Sequence, residues 1–442
     1  MSRLVVTTTG GRDATTRHIF GQFALSVGKP DVIAPKGWKW VKLTDFARLE
    51  SGHTPSKRHP EYWGGDVPWI GIRDAKAHHG ETIHETIQTT NDLGIQNSSA
   101  RILPKGTVCL SRTASVGYVV TMARPMATSQ DFANWVCSDN LDCRFLVYLL
   151  LAEQESLLRF ASGAIHQTIY YPELKALHIC MPSLPEQQRI VAILDDALAG
   201  LETVAANVQK NLKNAGELFD SYLNSAFTQK NESWVVKMLS DVCRKITVGH
   251  VGPMAKRYKQ SGVPFLRSQN IRPFEIALDD VVFIDEDFHR SLAKSQLLPG
   301  DVAIVRTGYP GTAAVIPETL KTSNCADLVI VRTDEQVDPG YIAAFFNSSH
   351  GKGLVSGNLV GTAQKHFNIG AAKAVKIRLP PKQEQRRLVE EMRVFRSASR
   401  RLELLYQQKL SNLADLKQSI LTKAFSGEMT SLPSSAINEA AE

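Results

Sequence analysis

A chain of 442 residues, 43% hydrophobic and 21% charged, is long enough for two or three domains, each with its own core. It contains no apolar run of about 18 residues that could span a bilayer, and its first residues lack the apolar stretch of a secretion signal. A net charge of +7 is compatible with a nucleic-acid partner; six scattered cysteines with no Cys-x-x-Cys pair argue against a zinc site or disulfide framework and fit a reducing cytoplasm.

Residues 1–37 hold 5 basic and 2 acidic side chains and read as an N-terminal arm that touches a partner. From 38 to 183 short apolar runs bounded by Gly and Pro predict strands, among them 107–110 and 118–122, with one helix over 143–160. From 185 to 227 there is no proline after the first position. Ile190, Leu194, Ala197, Leu201, Val204, Val208, Leu212, Ala215, Phe219, Tyr222 and Ala226 recur at steps of three and four, the stripe of a long helix. The pattern then starts again. Residues 228–381 predict strands at 301–305 and 328–331 and a helix at 339–347. Residues 382–427 predict a second long helix striped by Leu388, Met392, Phe395, Leu402, Leu405, Leu413, Leu416 and Ile420, and 428–442 form a tail.

The two halves are one sequence written twice. Residues 163–227 overlay 361–425 at a constant offset of 198 without a gap: Glu186-Gln187-Gln188-Arg189 falls on Glu384-Gln385-Arg386-Arg387, and Ala226-Phe227 on Ala424-Phe425. Upstream, Val67-Pro68-Trp69-Ile70 recurs as Val263-Pro264-Phe265-Leu266, and Ser111-Arg112-Thr113 as Val305-Arg306-Thr307. A helix of some forty residues is roughly 60 Å long and cannot hide its stripe in a domain of this size, so it needs a partner helix. Residues 184–227 carry 3 basic and 6 acidic side chains, residues 382–425 carry 10 and 5; opposite signs favour pairing of one helix with the other. The expected fold is α+β: two mixed α/β domains, internally duplicated, separated by two long helices that pair as an antiparallel coiled coil.

The common routes to catalysis are closed. No Gly-x-x-x-x-Gly-Lys-Ser/Thr loop for ATP, no glycine-rich cradle for S-adenosylmethionine, no Asn-Pro-Pro-aromatic run and no His-Glu-x-x-His occurs. No catalytic residue and no metal site is assigned.

Several stretches carry a family resemblance: Leu49-Glu50-Ser51-Gly52-His53-Thr54-Pro55, Asp66-Val67-Pro68-Trp69-Ile70-Gly71, Leu110-Ser111-Arg112-Thr113-Ala114-Ser115-Val116-Gly117, Thr128-Ser129-Gln130-Asp131-Phe132, His166-Gln167-Thr168-Ile169-Tyr170 and Pro185-Glu186-Gln187-Gln188-Arg189. In this order the chain resembles the specificity subunit of type I restriction-modification enzymes over residues 38–427. The resemblance implies two target-recognition domains held apart by two long conserved helices, reading a bipartite, asymmetric DNA target with a spacer of fixed length. It also implies two methyltransferase subunits and restriction subunits as partners, which carry S-adenosylmethionine, ATP and magnesium; this chain carries no cofactor, is not an enzyme by itself, and meets no membrane. The competing expectation is a non-catalytic coiled-coil scaffold that binds protein only, which would not need two elaborate, divergent heads.

Base edges are read by side chains with two-pronged hydrogen bonding, whereas phosphate contacts only position. On residue type and loop placement the base-reading candidates of the first head are Arg58, Arg73, Arg112, Gln130, His166 and Gln167. Those of the second are Arg267, Gln269, Asn270, Arg272, Arg306, Asn324, Gln364 and His366. Lys57, Lys76, Lys256, Arg257 and Lys259 are phosphate candidates. Arg112 and Arg306 stand at equivalent repeat positions after a strand and are favoured. The first head holds 14 basic and 14 acidic residues over 38–183, the second 19 and 14 over 228–381, so the first must rely on directed contacts rather than bulk charge.

Overall fold

The computed structural model of the chain describes residues 19–163, 167–229, 233–357 and 366–428. Five helices organise it: α1 (Cys143–Ala152), α2 (Gln154–Phe160), α3 (Leu184–Thr228), α4 (Pro339–Asn347) and α5 (Lys382–Phe425). The described residues fall into two compact units. One comprises the chain up to Ala206 together with residues from Leu410 onward, the other Asn207–Lys409. Each long helix therefore contributes to both.

In the first unit a five-stranded sheet runs in the order Ala47–Ser51, Phe132–Cys137, Val108–Ser111, Val119–Met122, Thr82–Ile83. α1 begins where the Asp142 carboxylate accepts the N–H groups of Arg144 and Phe145 at 2.8 and 3.1 Å, an N-cap, and it buries Phe145, Leu146, Leu149 and Leu150 completely. The single helix expected over 143–160 is broken at Glu153. That side chain is fully buried and accepts the backbone N–H groups of Gln22, Phe23 and Ala24 at 2.6 Å and of Leu25 at 3.2 Å. A buried carboxylate is tolerable only when so satisfied, and here it fixes the chain's N-terminal segment. Leu25–Val27 adds to the edge of Leu177–Met181, whose other edge pairs with Lys39–Lys42. Residues 19–37, expected as an arm for a partner, are thus part of the first unit; residues 1–18 lie outside the described residues. Gly21 is required here, since a Cβ would sit 2.1 Å from the Leu25 carbonyl oxygen.

The second unit repeats the plan. Cys243–Val248, Leu328–Thr333, Val302–Val305 and Ala313–Val315 form a sheet in that order, and Asp338 caps α4 through the Gly340 N–H at 2.8 Å. It departs from the first unit at Lys376–Leu379, which pairs with Val235–Met238 alone among the described residues.

The long helices run antiparallel within each unit. In the first, Glu202 of α3 lies 4.0 Å from Lys417 of α5, and Ile190, Leu194 and Leu198 share a core with Leu421, Ala424 and Phe425. In the second, Ser399 donates its hydroxyl to the Ala215 carbonyl at 2.6 Å and the Tyr222 and Phe395 rings lie 4.9 Å apart. The stripe differs in phase from the expected one. On α3 it passes through Leu198 rather than through Val204, which is exposed; on α5 Leu402, Leu405 and Leu416 face solvent while Ser399 is buried. A buried serine is accommodated because its hydroxyl has a carbonyl partner, which letter-counting of apolar residues cannot register.

Both heads meet their helices through the same joint. Gln187 is fully buried, accepts the Asp142 N–H at 2.9 Å and donates to the carbonyls of Pro182 and Asn140 at 3.1 and 3.3 Å. Gln385 accepts the Asp338 N–H at 2.9 Å and donates to Pro380 and Gln336 at 2.8 and 3.2 Å.

Candidate nucleic-acid interface

In the first head, Lys57 and Arg73 line a hollow of about 380 Å³ beside Trp69, Ser129 and Asp131. The short helix Ile72–Ala77 that carries Arg73 is fixed by Asp74, whose carboxylate accepts the N–H groups of Gly71 at 2.9 Å and Ile87 at 2.7 Å. Trp69 is fixed by its indole N–H, which donates to the His53 carbonyl at 3.1 Å. Gln130 is exposed next to Ser129 and accepts from the Thr54 hydroxyl. Lys57 and Arg73 therefore line one concavity, and Gln130 lies in sequence between its lining residues Ser129 and Asp131; Trp69 and Asp131 belong to it and were missed, being indistinguishable in sequence from core and turn residues. Arg58 and Lys76 are exposed, and Gln167 is exposed beside Thr168. His166 lies outside the described residues.

Arg112 is tied to its neighbouring loops. Its guanidinium donates to the carbonyl of Gln130 at 3.2 Å, approaches that of Ile169 at 3.5 Å and stacks over the Tyr171 ring at 4.8 Å. Its own carbonyl accepts the Ile169 N–H at 2.8 Å. Arg306 does the same in the second head: its Nε donates to the Phe367 carbonyl at 3.3 Å, its Nη1 meets Asp327 at 3.2 Å, and its carbonyl accepts the Phe367 N–H at 3.2 Å. Ile169 and Phe367 are equivalent at the offset of 198. The two favoured arginines are duplicated braces between loops.

In the second head, Arg267, Gln269 and Arg272 are brought together by an acidic loop. Arg267 reaches Asp280 at 3.2 Å, Gln269 donates to the same carboxylate, and Arg272 meets Asp279 at 2.9 Å. The main-chain amide of Asp279 itself, then Arg272, hold the Asp279 carboxyl below its usual range. Lys256, Arg257 and Lys259 are exposed on one loop, where Arg257 stacks over Phe288 at 4.8 Å and the Lys259 N–H donates to the Phe283 carbonyl at 2.9 Å. Two candidates are buried. Asn270 is buried, accepts the Arg267 N–H at 2.9 Å and donates to the Ala277 carbonyl at 3.1 Å. Asn324 is fully buried against His289 at 3.3 Å and accepts the Cys325 N–H at 2.9 Å. Both amides spend their donors and acceptors on partners inside the second unit. His366 is half-buried with Nδ1 unpartnered; Gln364 lies outside the described residues.

Among the described residues no group of three His, Cys, Asp or Glu is placed to hold a metal ion, and no helix is long and apolar enough to cross a membrane. The six cysteines are free thiols; burial pushes Cys137, Cys180 and Cys243 up to about 12.

Residues 35–213 match the model of the type I restriction modification DNA specificity domain. The chain is 30% identical over 257 residues to the MjaIX specificity subunit of Methanocaldococcus jannaschii, covering 54% of this chain and 59% of that one. It is 29% identical over 174 residues to the HindI specificity subunit of Haemophilus influenzae, covering 37% of each. The chain thus spans about three-fifths or less of the length of these curated relatives. Among solved structures, a chain from work on assembly and conformational transition of the type I R-M system matches at TM-score 0.72 and 19% identity, over 90% of this chain and 99% of that one. The HsdS subunit of Thermoanaerobacter tengcongensis matches at TM-score 0.57 and 19% identity over the same shares. These structural likenesses carry the fold; in sequence, residues 35–213 match the type I restriction modification DNA specificity domain, and the relatives the chain is similar to are type I specificity subunits.

Proposed function

We propose that this chain is the sequence-reading, non-catalytic subunit of a type I restriction-modification complex. Each unit reads one part of a bipartite DNA target, and the paired helices separate the two parts. The observation that carries the reading is duplication: the architecture of the matched domain is built a second time, with the same glutamine joint and the same arginine brace. In this reading Lys57, Arg73 and Gln130 face DNA in the first head, with Arg58, Gln167 and Lys76 around them. In the second, Arg267, Gln269 and Arg272 read bases while Lys256, Arg257 and Lys259 hold phosphates. Arg112 and Arg306 position the loops and do not read. Two methyltransferase subunits and restriction subunits supply the chemistry, with S-adenosylmethionine, ATP and magnesium, in the cytoplasm. The test is exchange of residues 38–183 for the first head of another family member, followed by methylome sequencing. One half of the methylated target should change and the other persist; a change in both halves would refute independent heads.

A further inference from the structure

The repeat also changes in the groove between each head's helix and its long helix. In the first unit α1 and α3 line a hollow of about 380 Å³ whose wall carries a paired polar trio, Arg144, Tyr148 and Asp195. Arg144 lies 2.6 Å from the Asp195 carboxylate, and the Tyr148 hydroxyl donates to the same carboxylate at 2.5 Å. Ring, cation and anion complete one another. The second unit keeps the backbone, with Asp338 capping α4 and Gln385 binding it to α5, but changes these side chains. Gly340 stands where Arg144 does, Ala344 where Tyr148 does, and Arg393 and Arg400 where Asp195 and Glu202 do.

What remains between α4 and α5 is a cavity of about 560 Å³, within the range of ligand pockets. Its floor is apolar, formed by Phe274, Ala343, Val389 and Met392; its rim carries Arg393, Arg396, Arg400 and Arg401. Glu390 pairs with Arg393 at 2.6 Å, and Glu275 lies 3.1 Å from Arg400 and 3.9 Å from Arg396. Four guanidinium groups thus meet two carboxylates, which leaves the rim positive. Phe274 is held as a wall at φ 64°, a conformation uncommon for a side-chain-bearing residue, with Arg396 stacked 4.8 Å from its ring.

We propose that this cavity binds an apolar group carrying a carboxylate, presented by an acidic segment of a partner protein. The apolar group takes the volume that Tyr148 fills in the first unit. The carboxylate meets the arginine rim as Asp195 meets Arg144, in the charge-assisted geometry that favours arginine. The apolar floor distinguishes this occupant from a DNA phosphate, and the site uses no residue assigned to DNA above.

The test uses the full chain with 4-phenylbutyrate and its uncharged analogue 4-phenylbutanol, titrated by calorimetry. A dozen heavy atoms of ordinary efficiency give a Kd of about a millimolar; the alcohol should bind at least about ten-fold more weakly. Ala344→Tyr, which copies the first unit, and the surface change Arg401→Glu should each weaken phenylbutyrate binding about ten-fold with the thermal melt retained. The peptide acetyl-Glu-Glu-Phe-Glu-Glu-amide should displace the probe, and a short DNA duplex should not. Absence of binding, equal binding to wild type and both variants, or displacement by duplex alone would overturn the proposal. None of these results bears on whether the heads read DNA, which the head exchange decides separately.

Discussion

Replacing Arg112 by alanine separates bracing from base reading. The side chain makes one well-formed charged hydrogen bond, to Gln130 at 3.2 Å, and a marginal one to Ile169 at 3.5 Å. It also stacks on Tyr171 at 4.8 Å. A hydrogen bond from a charged group contributes about 1.5–3 kcal/mol and the stacking about 0.5–1 kcal/mol. The Nε of the same arginine is buried without a partner, which offsets part of the gain, so about 2 kcal/mol is expected. If the loops around Gln130 and Ile169 must be ordered to bind, that is about a 30-fold loss of affinity. It should be spread evenly over the target, because no base loses its reader. The assay is competition binding of the assembled complex against duplexes carrying every single base-pair change. A base-reading arginine would instead erase about 1–3 kcal/mol of discrimination at one position. A loss confined to one base pair would refute the brace, and Arg306→Ala, with its matching contact to Phe367, provides an independent second trial.

Glu153→Ala should leave four backbone N–H groups of residues 22–25 without their acceptor and cost at least about 3 kcal/mol, read as a lower melting temperature and new proteolytic cleavage within 19–37. Asn270→Ala and Asn324→Ala should destabilise the second unit by about 1–3 kcal/mol each while leaving the methylated sequence unchanged; a relaxed target would restore them as readers. His79 accepts the Val119 N–H at 3.1 Å, and burial holds its imidazole below the ordinary histidine value. A depressed folded value means the neutral form stabilises at neutral pH and the contribution is lost as pH falls through it. The melting temperature should therefore drop between pH 7 and 5 more steeply in wild type than in His79→Asn, and parallel curves would contradict this role.

The long helices and the duplication were legible because they rest on period and identity, which survive without three-dimensional knowledge. The phase of the stripe was less so. Val204 and Leu405 look as apolar as Leu198, and only the facing helix decides which of them is covered. The break at Glu153 was invisible, since glutamate suits a helix interior and its partners lie some 130 residues earlier in the chain. The proposed reading surface was chosen by residue type, which carries no direction. Arg73 and Arg112 are the same chemistry, yet one, on the short helix Ile72–Ala77, lines an open hollow and the other, in the loop after a strand, grips carbonyls. Asn270 and Asn324 show the same ambiguity for amides, whose paired donor and acceptor serve a loop as readily as a base.

The glutamine at the start of each long helix has a consequence for how such proteins can vary. The hydrogen bonds of Gln187 and Gln385 to their heads go to main chain: one N–H at the cap of a helix, one carbonyl two residues before it, and the carbonyl of the proline that precedes the long helix. Main-chain groups are present whatever side chains a head displays. The joint therefore works as a standard coupling, indifferent to the cargo it carries. On the function proposed above, a head with a different surface should seat on the same helix wherever its main chain presents that N–H and those carbonyls, so that exchange of whole heads requires no residue-by-residue repair of the connection.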